Sequence, residues 1–79
     1  MLSIEQVKAL IEGGITDAEV TVIDMTGTSD HFEAVVVSSS FAGVALLQRH
    51  QMVYKALGDA MSGPIHALKL KTLTPEQAS

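Results

Sequence analysis

Three histidines, His31, His50 and His66, are the side chains of this 79-residue chain best suited to transition-metal ligation or proton transfer near neutral pH. There is no cysteine, so this chain supplies no disulfide, thiolate ligand or cysteine nucleophile. Any thiol chemistry must come from a partner. Two histidines alone do not build a closed zinc site, which usually takes four Cys/His ligands at short spacing, and no HExxH pair exists here. Ser38, Ser39 and Ser40 lie in no GxSxG context, no pair of carboxylates is poised for acid–base work, and the glycines form neither GxGxxG nor GxxxxGK. The pattern points away from an enzyme.

The elements that must hold these histidines can be read from periodicity. Ser3 and Gln6 fit a capping box ahead of Ile4, Val7, Leu10 and Ile11, which predicts a helix over residues 4–12, stopped by Gly13-Gly14. "AEVTVIDMT" and "HFEAVVVS" are rich in β-branched residues and predict a hairpin with its tip at Gly27 to Asp30 and His31 at the base of the second strand. "FAGVALLQRHQMVYKALGDAM" predicts a helix, broken near Gly58 or near its start. Leu46, Val53 and Leu57 share its apolar stripe with His50 in the middle, and Gln48, Gln51 and Lys55 lie opposite. After Ser62-Gly63-Pro64, "IHALKLK" predicts a third strand, with Leu68 and Leu70 on one face and Lys69 and Lys71 on the other. Parity sets His66 with the leucines, at the strand's start. Thr74, Pro75 and Gln77 then predict a capped C-terminal helix start. The order α-β-β-α-β-(α) predicts an α+β sandwich: one domain over residues 1–79, with a three-stranded mixed sheet and helices on one face.

By type and place, His50 reads as a core-edge residue making one hydrogen bond, and His31 as a solvated turn residue. For His66, at a strand rim, packing and ligation both stay open. The chain is 47% hydrophobic and 18% charged, enough apolar material for a folded core. Its longest apolar stretch, Ala34 to Leu47, is cut by serines and Gly43, so no membrane span is expected, and the N-terminus lacks a secretory pattern, so a cytoplasmic location is. Charge is unevenly distributed. Glu5, Glu12, Asp17, Glu19, Asp24, Asp30 and Glu33 face only Lys8 in the first half, whereas Arg49, Lys55, Lys69 and Lys71 outnumber Asp59 and Glu76 in the second. Such polarity suits a protein partner better than a phosphate backbone.

The stretch "VVVSSSFAGVALLQRHQMVYKALGDAMSGPIHALKLKTLTPEQ", with "HF" before it, closely resembles the BolA family. The matching features are "VVVS", a phenylalanine and glycine two apart, "LLQRHQMVY", "IHAL" and "KTLTPEQ", in order. The resemblance implies a sandwich like a type II KH domain. It also implies a non-enzymatic partner of a monothiol glutaredoxin in iron–sulfur trafficking or iron and redox regulation. In that arrangement a [2Fe-2S] cluster is shared, with sulfur ligands from the glutaredoxin cysteine and glutathione and an imidazole from the position matching His66. Replacing thiolate with neutral imidazole lowers net cluster charge and raises its potential. Relatives that carry a loop cysteine have it near Ser29 or Asp30; this chain has none there, which makes His31 the leading second ligand. Binding through His66 alone, or a cluster-free complex, is the remaining option, and weak self-association into a homodimer is left open.

The alternative implied by the family is a KH-like nucleic-acid-binding transcription regulator, for which Arg49 and Lys55 are the candidate contacts. KH domains clamp the backbone with a GxxG loop, which this chain lacks, and its few basic residues neutralise few phosphates.

Overall fold

A computed structural model describes residues 3–25, 27, 31–62 and 67–79. The first helix, α1, runs Ile4–Gly14 and opens with the expected box: the Ser3 hydroxyl accepts from the Gln6 N–H while the Gln6 side chain accepts from the Ser3 N–H. These bonds satisfy donors that have no partner inside the helix. Two strands follow, β1 (Glu19–Asp24) and β2 (His31–Val37), and a 3-10 turn over Ser39–Phe41 leads to α2 (Leu46–Leu57). A second 3-10 turn, Gly58–Ser62, precedes β3 (Ala67–Leu73), and α3 (Pro75–Ala78) carries the second capping box, between Thr74 and Gln77.

The sheet order is β1-β2-β3, with β1 antiparallel and β3 parallel to β2. Val20, Val22, Phe32, Ala34 and Val36 alternate onto one face and are buried there against Val7 and Ile11 of α1 and Val53 and Leu57 of α2. Leu68 and Leu70 join that face from β3 and are half-buried, while Lys69 and Lys71 are exposed on the other. The second face carries Glu19, Thr21, Ile23, Glu33, Val35, Lys69 and Lys71, and Lys69 Nζ lies 3.3 Å from Glu33 Oε2 on neighbouring strands. The expected mixed-sheet α+β sandwich is therefore the observed fold. No helix among the described residues is long and apolar enough to cross a membrane.

Several boundaries differ from expectation for identifiable reasons. Gly13 and Gly14 do not stop α1 but form its last turn, because α1 and α2 touch there: a Cβ on Gly14 would lie 2.5 Å from Ala56 Cβ, whereas one on Gly13 meets nothing within 4 Å. The segment expected to be a long helix is broken at both suggested places, by the turn through Gly43 and by Gly58, whose φ of +55° glycine adopts without steric cost. Leu46, assigned to the buried stripe, is 61% exposed because α2 only begins there and the sheet lies under its later turns. The third strand runs two residues past the expected end, through Thr72 and Leu73, where it continues to pair with Val36 and Val37.

Candidate functional site

His31 opens β2, and its neighbours explain its orientation. Phe32, next in the chain, is fully buried under the helices, so alternation turns His31 to the opposite face, where it is half-buried. Its carbonyl accepts from the Met25 N–H at 2.8 Å, extending the hairpin one step past β1. Across the parallel ladder its register partner is Ala67, the residue joined to position 66 by one peptide bond. His66 itself, with Ser29 and Asp30, lies outside the described residues. Pairing between β2 and β3 thus brings His31 beside the start of β3.

The helical candidates separate. His50 sits half-buried on α2 at the margin of the stripe formed by Val53 and Leu57, not in its middle, and its ring makes no hydrogen bond among the described residues. Arg49 is held by its own fold: Nε donates to the Val44 carbonyl at 2.8 Å, one terminal nitrogen donates to Gln77 Oε1 at 2.9 Å, and the guanidinium carbon lies 5.7 Å from the centroid of the buried Phe41 ring. The same Gln77 oxygen accepts from the Thr74 N–H, so Arg49 clasps the capping box of α3 to the start of α2. Lys55 is exposed and lines a groove of about 610 Å³ between α1 and α2, with Ala9, Leu10, Gly13 and Met52. Arg49 and Lys55 accordingly face different surroundings and form no common patch.

The serine cluster is structural. The Ser38 hydroxyl, fully buried, donates to the Thr16 carbonyl at 2.6 Å and accepts from the Ser40 N–H at 3.0 Å, while its own N–H donates to the Leu73 carbonyl. One residue ties the α1–β1 turn, the 3-10 turn and the end of β3. Sequence reasoning missed this role and the Arg49 clasp, since both depend on groups far away in the chain. The arrangement of "SSSF" as the cap of a 3-10 turn was the available local signal.

Among the described residues no group of three or more His, Cys, Asp or Glu could hold a metal ion. The chain has no cysteine, so any thiolate ligand to a metal beside His31 would come from another molecule.

Residues 6–77 match the family described as BolA-like protein. Protein BOLA2 of Arabidopsis thaliana is 42% identical over 79 residues, which cover 98% of this chain and 84% of that protein. BolA-like protein 1 of Mus musculus is 47% identical over 51 residues, 65% of this chain and 37% of that protein. The DNA-binding transcriptional regulator BolA of Haemophilus influenzae is 41% identical over 51 residues, 65% of this chain and 50% of that protein. The match thus spans half or less of the mouse and Haemophilus relatives. Among solved structures, a BolA homologue from Coxiella burnetii superposes with a TM-score of 0.85 at 40% identity, covering 99% of this chain and 97% of that one. The BolA domain of Arabidopsis SufE1 does so with a TM-score of 0.82 at 26% identity, covering 96% and 98%.

Proposed function

The chain belongs to the BolA-like family, and from that membership and the site at the start of β2 we propose that it is a non-enzymatic partner of a monothiol glutaredoxin. In this reading it shares a [2Fe-2S] cluster, His66 supplies an imidazole ligand and His31 is the candidate second. The observation that carries the reading is the match of residues 6–77 to the BolA-like family in a chain without any thiol; the register His31↔Ala67 brings the His31 backbone beside the start of β3, while alternation turns its side chain to the face opposite that of Phe32, Leu68 and Leu70. A cluster bound here takes its remaining ligands from the glutaredoxin cysteine and glutathione. Of the two imidazoles, that of His31 belongs to the first residue of β2, whose backbone the sheet holds. Occurrence of the same fold as a domain of SufE1 is consistent with a module that works beside other proteins. The cytoplasm is the proposed location.

The test is reconstitution with a monothiol glutaredoxin and glutathione, recording visible absorption and circular dichroism for the glutaredoxin alone, with this protein, and with its His66→Ala and His31→Ala forms. A new spectrum that requires His66 is the expected result; one that also changes with His31→Ala makes it the second ligand. A spectrum that stays that of the glutaredoxin, with no complex on size exclusion, overturns the reading.

Nucleic-acid binding is the second reading, supported by the name of the Haemophilus relative. It ranks below the first because Arg49 already makes three intramolecular contacts, which leaves Lys55 as the accessible member of the proposed pair. Sequence-specific gel shifts at moderate salt, lost on Lys55→Glu, would reverse the order.

A further inference from the structure

The two outer strands of the sheet treat their free edges differently. Edge strands present unpaired N–H and C=O groups, and proteins commonly blunt them with lysine or proline. β3 follows this rule with the exposed Lys69 and Lys71, but β1, "EVTVID", has neither residue. The pairing of Met25 N–H with the His31 carbonyl, continued along the antiparallel register, makes Ile23↔Glu33 and Thr21↔Val35 the hydrogen-bonded pairs. Val20 and Val22 consequently direct their N–H and C=O groups away from β2, and they take part in no backbone bond outside the ladder among the described residues. Beside that edge, Ile23 and Met25 are 50% and 55% exposed. The strand and the turn before it carry Asp17, Glu19 and Asp24 and no basic residue.

We propose that the free edge of β1 is a docking edge for a basic, extended segment of a partner protein, which adds as a fourth strand. Backbone groups of Val20 and Val22 supply the ladder, as in strand-addition recognition generally. A lysine or arginine facing Glu19 and an apolar side chain facing Ile23 supply the selectivity. A second copy is the poorer occupant, because antiparallel self-pairing through Val20 and Val22 sets Glu19 opposite Ile23 of its twin and brings no basic side chain to this acidic edge. This surface shares no residue with the proposed cluster site.

The probe is a short β-prone peptide with lysine and valine four residues apart, so that both fall on the face of Glu19 and Ile23, titrated into the full chain, with the same peptide carrying glutamate for lysine and a proline-interrupted form as controls. Binding of the first peptide alone, with slowed amide exchange at Val20 and Val22, supports the proposal. Glu19→Lys should weaken that binding roughly tenfold and Ile23→Lys comparably, while Lys71→Ala, on the opposite edge, leaves it unchanged. Both test residues are exposed on the open face, so the fold should tolerate the variants. Absence of binding, unchanged exchange at Val20 and Val22, or equal binding of the proline-interrupted peptide overturns it, the last by showing diffuse attraction rather than strand addition.

Discussion

The contact between Gly14 and Ala56 gives neighbouring glycines opposite roles, and a pair of single substitutions separates them. Adding a methyl at Gly13 meets nothing within 4 Å, so Gly13→Ala should gain what alanine offers over glycine in a helix, about 0.5–1 kcal/mol. Adding it at Gly14 places the new carbon 2.5 Å from Ala56 Cβ and 3.0 Å from Ala56 Cα, which no side-chain rotation relieves. Overpacking of that kind costs about 1–3 kcal/mol, against the same propensity gain, for a net loss of up to about 2 kcal/mol. The two variants should therefore differ by about 1–3 kcal/mol, or several degrees of melting temperature in either direction for a domain of this size. Urea unfolding followed by circular dichroism measures both. A companion, Gly14→Ala with Ala56→Gly, tests the cause: removing the Ala56 methyl should recover part of the loss, seen as a favourable coupling energy in the double-mutant cycle. If Gly14→Ala matched or exceeded the parent in stability, or the cycle showed no coupling, the close approach of α1 and α2 would not be the reason α1 ends in two glycines.

Other packing features yield further tests. The Thr72 hydroxyl is buried and has no partner among the described residues, so the isosteric Thr72→Val should be neutral or raise stability by about 1 kcal/mol; a lower melting temperature would reveal a hydrogen bond unseen here. Ser38→Ala removes an acceptor and a donor from a fully buried junction and should lower unfolding free energy by about 1–3 kcal/mol, with unchanged m-value. Arg49→Ala frees Gln77 and the Val44 carbonyl, and should loosen α3, read as faster amide exchange at Gln77 and Ala78 and a loss of about 1–3 kcal/mol. His50→Ala, at the half-buried margin of α2, should cost less than Val53→Ala, whose fully buried side chain leaves a cavity; thermal melts in the reverse order would place the ring in the core.

How much of this could be read from the chain follows from the range of the interactions concerned. Both capping boxes, the hairpin, the parity of Leu68 and Leu70 against Lys69 and Lys71, and the break at Gly58 are legible in the sequence because each depends on residues within a turn or two of one another. The absence of cysteine and the motifs "LLQRHQMVY" and "IHAL", which carry the family resemblance, are likewise properties of the chain itself. Tertiary structure alone decided the rest. Gly14 belongs inside α1 only because Ala56 returns to it, Leu46 is exposed only because the sheet does not extend under the first turn of α2, and Arg49 is a clasp only because Gln77 and Phe41 converge on it. The parallel pairing that sets His31 beside Ala67 is of the same kind. Local propensity and periodicity are written in neighbouring residues, but close approach, exposure and cross-strand register arise between segments distant in the chain, whose meeting is settled by the packing of the whole core.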